Sequence, residues 1–434
     1  MNEVKPSDIK LVTDAFRQYI NHVAKTKNVN LQEFFNFMEP IFIQAGYRTP
    51  VKGGGQQSIL LLTGDGVGDF ILMSPAIREI RRIYPDAHIT LGVNINAFNV
   101  AETCPYVDEI LIKYQGVLFA EPTLAVMPQL LKRRYDIAFS FKDFKDFSLL
   151  MYLSGAKSRI IHSSFNEKEL DVYRNIDLYF QKLATNRVPL LKYGTHALDI
   201  FLSVVDDTLH LPVSNRELEV WYTPAEFTNA ENFVSNLPRP LYALVPGASS
   251  PRRRYPPEKY AELVKLILVE EPTATFINLG GGQYDLYAAQ ILRQSLGEEI
   301  SSKHVVNLVN QCNYRQSAAI MKCCDMYIGN NTGNKDIAMA VKCPLLVAEC
   351  FPKDLDSGVA DIPRSYGPYK VPAVSVQPAH ALPECAVNEP YHPYGCRAEM
   401  PHCITQIEPQ ILFQGYKILK DKIAKNIVDT TYIS

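Results

Sequence analysis

Two runs of short apolar strands alternating with amphipathic helices predict an α/β protein with two doubly wound, Rossmann-like domains facing a cleft and a helical extension in front. The alternation begins at Ser58 and begins again at Leu241. Its strands are continuously apolar, as parallel strands covered on both faces must be. A chain of 434 residues also exceeds what one hydrophobic core fills, so two domains are expected.

Residues 1–57 read as a helical extension and linker. Helices are expected over "SDIKLVTDAFRQYINHVAKTK" and "NLQEFFNFMEPIFIQAG", with Ser7 and Asn30 as N-caps. Ile9, Val12, Phe16, Ile20 and Val23 form one apolar stripe along the first, suited to packing on a domain. "RTPVKGGGQQ" has the composition of a linker. Residues 58–225 follow as the first domain: strand "SILLLTG", helix "SPAIREIRRIYP", strands "HITLGVN" and "VDEILIKY", helix "AVMPQLLKRRY", strand "DIAFSF". Residues 226–434 form the second. Here strand "LYALVPG", helix "PPEKYAELVKLILVEE", strand "TATFINLGG", helix "QYDLYAAQILRQSL" and "VVNLV" precede helix "YRQSAAIMKCC" and strands "DMYIGN" and "PLLVAECF", with a helix near the C-terminus. The two domains join near residues 210–240, and ligands of such sheets sit beyond the carboxyl ends of the strands.

Composition narrows the function. With 47% apolar residues, 21% charged residues and a net charge of −2, the chain has no electrostatic footprint for nucleic acid. It has neither a membrane-length apolar run nor a basic-then-apolar leader, so a cytoplasmic protein with at most peripheral contact at the inner membrane is expected. Nine cysteines in such a context read as reduced thiols.

The loop "TGDGVGDF" carries Gly64, Gly66 and Gly68 after an apolar strand. A dinucleotide fingerprint needs its third glycine one residue later and an acid at the end of the second strand, which here reads "GVNIN". A calcium loop needs more oxygen ligands than Asp65 and Asp69. The remaining reading is a glycine turn that sets Asp69 at the mouth of a helix as an acid or base, with helix capping as its competing role.

Anion-receptive features gather in the second domain. "VPGASSPRRRYPPEKY" sets Gly247, Ser249, Ser250, Arg252, Arg253 and Arg254 between a strand and a helix with Pro257 near its start. Backbone N–H groups, hydroxyls and guanidinium groups at such a place suit phosphate oxygens. "YIGNNTGNKDIAMAV" places Asn331, Thr332, Gly333, Lys335 and Asp336 in a second strand-to-helix loop. Two such loops in one domain point to a diphosphate.

With these residues in order and spacing, the chain resembles glycosyltransferase family 9, the ADP-heptose:lipopolysaccharide heptosyltransferases. The resemblance spans roughly residues 58–425, through Gly68 and Asp69 with "SPAIREIRRIYPDAHI", "PYVDEI", "YDIAFSF", "VPGASSPRRRYPPEKYAEL", "NLGGGQYD", "YIGNNTGNKDIAMAVKCPLLVAECFP" and "GPY" at Gly367. It implies a GT-B fold, an ADP-sugar held by the second domain and a glycan or glycolipid acceptor held by the first. It also implies Asp69 as general base, Arg253 against the donor diphosphate with Tyr255 and Pro256 in place of a Trp-Pro pair, and Thr332 and Gly333 in the nucleotide loop. Gly281, Gln283 or Asp285 would meet adenine and ribose. Where the family commonly reads Asp-Thr-Gly-x-x-His, this chain has Asn331 and Asp336 at the acid and histidine positions.

An inverting transfer fits these residue types, since a carboxylate can take the acceptor proton while cations and amides stabilise the departing diphosphate. No cofactor is required in this reading. Gly66, Gly68 and Lys142 are the acceptor-side candidates. No acidic cluster suited to Mg²⁺ stands beside the phosphate loops. In the tail, Cys385, Cys396 and Cys403 with His392 and His402, joined by Cys350, are candidate ligands for a structural zinc or iron, without a Cys-x-x-Cys knuckle. "REIRR" at Arg78 and "KRRYD" at Lys132 read as solvated helix faces, and His196 as a packing residue. Two alternatives stay open: a same-fold glycosyltransferase with another nucleotide sugar or a protein or other glycan acceptor, and a non-catalytic assembly protein docking through its N-terminal helices.

Overall fold

The computed structural model describes residues 5–26, 31–45, 55–63, 66–113, 130, 135–141, 145–163, 183–189, 195–209, 212–353, 365–382 and 402–434. The chain divides into two compact units, Met1–Leu191 with Leu198–Arg216, and Lys192–Ala197 with Glu217–Ser434.

In the first unit, helices Pro6–Thr26 and Leu31–Gln44 pack on each other, with Val12, Ala15, Tyr19, Met38 and Phe42 buried. The first helix starts at Pro6 rather than after Ser7. Asp8 accepts the Lys5 N–H through its side chain, so the capping place falls to Lys5, a residue type without a capping side chain of its own. Asn30 lies outside the described residues.

Six strands follow: β1 (Ser58–Leu62), β2 (His88–Asn94), β3 (Glu109–Lys113), β4 (Ile137–Ser140), β5 (Ser158–Ser163) and β6 (Asn186–Pro189). All pair in parallel in the order β3-β2-β1-β4-β5-β6. Strand β1 is buried throughout because it lies in mid-sheet. The sequence missed β5 and β6. "SRIIHS" is only one-third apolar, and "NRVP" ends in a proline, which only an edge strand tolerates. The expected helix over "AVMPQLLKRRY" lies outside the described residues apart from Leu130 and Tyr135.

The basic helix face at Arg78 is not simply solvated. Arg78 donates to Asn215 O, Arg81 to Asp108 and to the Tyr106, Pro85 and Ala87 carbonyls, and Arg82 to Glu79 and Pro212 O. Glu79 is fully buried and also accepts the Ser214 N–H and hydroxyl, so these charges fasten the connector at residues 212–215 to the first unit. Burial raises the Glu79 carboxyl, but the Ser214 and Arg82 hydrogen bonds outweigh it and leave the group below its usual range.

The second unit holds β7 (Leu241–Val245), β8 (Thr275–Asn278), β9 (Val305–Asn307), β10 (Met326–Asn330), β11 (Leu345–Ala348), β12 (Ala373–Val376) and β13 (Thr430–Ile433). They form a seven-stranded parallel sheet in the order β13-β12-β11-β10-β7-β8-β9. The helix Pro224–Val234, capped by a Thr223–Glu226 capping box, precedes it. The helix Pro409–Ala424 lays Leu412, Tyr416 and Leu419 onto the core beneath β11 and β12. Its close approach needs Gly415, where a methyl group would stand 3.0 Å from Leu346 Cδ1 and 3.2 Å from Val374 Cγ1. The predicted pair of doubly wound sheets is therefore present. No helix among the described residues is long and apolar enough to cross a membrane.

Candidate functional site

Each strand order reverses once beside the first strand of its unit, between β1 and β4 in one sheet and between β7 and β10 in the other. Loops leaving adjacent strands at such a point diverge to opposite faces and open a crevice between them. The sequence-chosen loops lie at these places. Asp69 follows β1, and the two anion-receptive loops follow β7 and β10.

After β1, the helix Val67–Ile83 has Gly66 as its N-cap, in extended conformation. Asp69 is therefore the third helical residue rather than the cap, and it is half-buried. Gly68 lies inside the first helical turn instead of forming the bend. Gly64, Asp65 and Lys142 lie outside the described residues.

The loop after β7 is built around Arg254 and Asn330. Arg254 donates to Ala248 O and Ser249 O, both at 2.7 Å, and its guanidinium lies over the Tyr284 ring, 3.3 Å from the centroid. It is thus tied to the loop's own carbonyls, which the sequence could not distinguish from a role towards ligand. Asn330, fully buried at the end of β10, accepts the Tyr255 N–H and the Tyr260 hydroxyl proton and donates to Pro246 O and Gly247 O. All four hydrogen-bonding valences of its amide are filled, and they fasten one loop to the other. Tyr255, in the place of a Trp-Pro tryptophan, is fully buried and donates to Ile407 O. Ser249 is exposed and Ser250 half-buried at the start of the short 3-10 turn Pro251–Arg253.

Arg253 differs from its neighbour. One terminal nitrogen donates to Asn331 O at 3.3 Å, while Nε is buried without a hydrogen-bond partner. A buried donor left open beside two backbone loops is the feature expected where a ligand oxygen supplies the missing acceptor. Beside it, Thr332 is the N-cap of the helix Gly333–Ala340 and makes no side-chain capping bond. The Tyr327 hydroxyl next to it already donates to Asn330 O, which leaves Thr332 Oγ1 buried without a hydrogen bond of ordinary geometry.

The remaining loop residues point elsewhere. Lys335 is fully buried, bound to Tyr366 O and paired with Asp336 at 2.8 Å. Asn331 donates through its amide to Glu349 Oε2 at 2.9 Å. Glu349, the residue after β11, is fully buried and was not singled out from the sequence, where it is one acid after an apolar run.

A third loop approaches from β8. Asn310 accepts the Gly282 N–H and donates its own N–H to Gly280 O, which fixes the turn before the helix Gln283–Leu296. Gly281 and Gln283 are exposed, whereas Asp285 turns back against Gly247 and Gly280. A methyl group on either glycine would overlap the Asp285 carboxyl, so both positions exclude any side chain. Burial pushes Asp285 up to about 6, opposed by the Gly281 N–H and the Arg254 charge. Asp285 is thus the inward-facing polar group of this loop, beside the half-exposed Tyr284 and Tyr314 rings, while Gln283 faces solvent.

His196 packs on Tyr369 with ring centroids 5.2 Å apart and donates to Gly367 O, as a packing residue does. Of the candidate metal ligands, Cys385, Cys396 and His392 lie outside the described residues. Cys350 sits in the second unit's core, and Cys403 accepts the Leu382 N–H beside His402.

Known proteins resemble this chain in sequence and fold. The sequence profile of glycosyltransferase family 9 (heptosyltransferase) matches residues 124–347. Lipooligosaccharide heptosyltransferase 2 of Haemophilus influenzae is 29% identical over 109 residues, covering 25% of this chain and 30% of that protein, so the alignment spans under a third of the curated relative's length. The glycosyl transferase family 9 structure from Veillonella parvula superposes with a TM-score of 0.66 at 18% identity, over 84% of this chain and 98% of that one. The E. coli ADP-heptose lps heptosyltransferase II superposes with a TM-score of 0.58 at 18% identity, over 85% and 100% of the two chains. These two likenesses establish a shared GT-B fold, and with the profile covering more than half of its residues, the chain belongs to glycosyltransferase family 9.

Proposed function

We propose that this protein is an inverting, metal-independent glycosyltransferase that moves a sugar, heptose by its family, from an ADP-sugar to a lipopolysaccharide-core-like acceptor. The observation that carries the reading is the open, buried Nε of Arg253 between the loops leaving β7 and β10, next to the uncapped start of the helix at Gly333. In this reading the diphosphate accepts from Arg253 Nε and the Thr332 and Gly333 N–H groups, and Asp285 receives a ribose hydroxyl. Asp69 takes the proton of the acceptor hydroxyl as its oxygen bonds to the anomeric carbon. The bond from that carbon to the diphosphate breaks, and its electron pair leaves with ADP, whose growing charge meets a cation and amides already in place.

Calorimetric titration with ADP, UDP and GDP, repeated on Arg253→Ala, tests the donor side. Selective ADP binding weakened about 10- to 100-fold by the substitution is expected for a charged hydrogen bond to phosphate. Preference for UDP or GDP moves the function to another nucleotide sugar, and binding of none of the three removes the enzymatic reading in favour of an assembly role.

A further inference from the structure

Beneath the proposed diphosphate site lies a buried carboxylate that the transfer mechanism does not use. Glu349 follows the last residue of β11 and is fully buried. One oxygen accepts from the Asn331 amide at 2.9 Å and the other from the Ser375 hydroxyl at 3.4 Å. The main-chain carbonyl of Asn331 in turn accepts from Arg253. The positive charges acting on Glu349 are those of Lys335 and Arg253, and Lys335 is itself paired with Asp336. Two cations and two carboxylates thus sit together in the second unit, with Arg253 Nε still open.

We propose that Glu349 is the internal counter-ion of this site: it balances Arg253 while the site is empty and competes with a bound nucleoside diphosphate for that charge, weakening the hold on the departing nucleotide. The inference rests on the reading of the loops as a diphosphate site. Arg253 is half-buried with its Nε shut off from water and unpartnered, so a nearby anion stabilises its charge while the site is empty. A ligand that brings more than one negative charge removes that need, and Glu349 then repels it through a low-dielectric interior. Burial pushes the Glu349 carboxyl up, and Asn331, Lys335, Arg253 and Ser375 oppose that push without cancelling it. Glu349 touches no reacting atom and is a positioning residue that acts through Arg253.

The sign of the effect separates this role from simple packing. Glu349→Gln keeps the shape and can still accept from Asn331 and meet Ser375, but it removes the charge. ADP is expected to bind this variant about three- to tenfold more tightly. Its nucleotide-free form should melt at a lower temperature, with the loss recovered by saturating ADP. The double variant Asn331→Asp/Glu349→Gln returns a negative charge to the other end of the same hydrogen bond, and its ADP affinity should return to within about threefold of the unaltered protein. Affinity that is unchanged or weaker in folded Glu349→Gln overturns the proposal, as does a double variant that binds like the single one. Should the single variant not fold, the double variant is read alone, and an affinity more than about tenfold from the unaltered protein is the overturning result. If the unaltered protein binds no nucleoside diphosphate, the reading of the loops as a diphosphate site fails, and this proposal fails with it.

Discussion

The turn after β1 and the loops after β7 and β10 occupy corresponding places in their sheets, yet they are built to different degrees of constraint. Around β7 and β10, Asn330 joins two loops through four hydrogen bonds, Arg254 holds its own loop's carbonyls, and Asp285 fills the space left by two glycines. After β1, a glycine caps the helix and one half-buried carboxylate stands in its first turn. The difference matches the two tasks of the proposed transfer. A ligand with several charged oxygens is held by donors fixed in advance, because reorganisation during the reaction would cost rate. Removal of one proton needs a single carboxylate within reach of the acceptor hydroxyl.

The sharpest way to break this comparison is to alter Asp69. Asp69→Ala should lower turnover about 10²- to 10⁴-fold while leaving ADP affinity within about twofold, as measured by product formation and by calorimetry on the same preparation. A parallel loss of ADP affinity would mean that the two regions do not divide binding from proton transfer. Crowding the constrained region should show the opposite pattern. Gly247→Ala puts a methyl group into the Asp285 carboxyl and within 3.0 Å of the Asp285 Cα, so a loss of about 1–3 kcal/mol in denaturant unfolding is expected, together with weaker nucleotide binding. An unchanged unfolding midpoint would show that the Asp285 helix yields more easily than its packing implies.

A smaller effect concerns pH. Asp285 rises from 3.8 to about 6 on folding because it is buried. The folded chain therefore binds more protons than the unfolded one between those values. Its contribution to stability is full below pH 3.8 and falls as the pH climbs through about 6. Asp285→Asn should remove that part of the decline and melt higher than the unaltered protein at pH 8, which thermal scans at several pH values will show. The smallest effect expected is that of metal removal. Transfer should keep its full rate in excess chelator, because in the proposed mechanism Arg253 and helix N–H groups take the place of a divalent cation at the diphosphate.

Much of this division was legible in the sequence because it depends on local pattern. Strands such as "SILLL" and "LYALV" are continuously apolar, and the glycine and arginine loops directly follow them. What the pattern did not carry was any role set by distant partners. Asn330 looks like the end of a strand until Tyr255, Tyr260, Pro246 and Gly247 are brought around it. Glu349 acquires its meaning only from Asn331, 18 positions earlier, and Ser375, 26 positions later. Arg253 and Arg254 are neighbours in a triplet of like charge, and only the folded loop gives them different partners. Asp285 was named beside Gly281 and Gln283, but nothing in "GGGQYD" revealed which of the three turns inward.

The Asn330 staple also sets which positions a protein engineer can use to change the ligand of the proposed donor site. An aspartate there loses both donors, a leucine loses donors and acceptors alike, and either leaves buried groups on several chain segments unsatisfied. Selection for altered specificity will therefore keep position 330 as asparagine and sample Tyr284 and Tyr314, whose side chains border solvent and have room to vary.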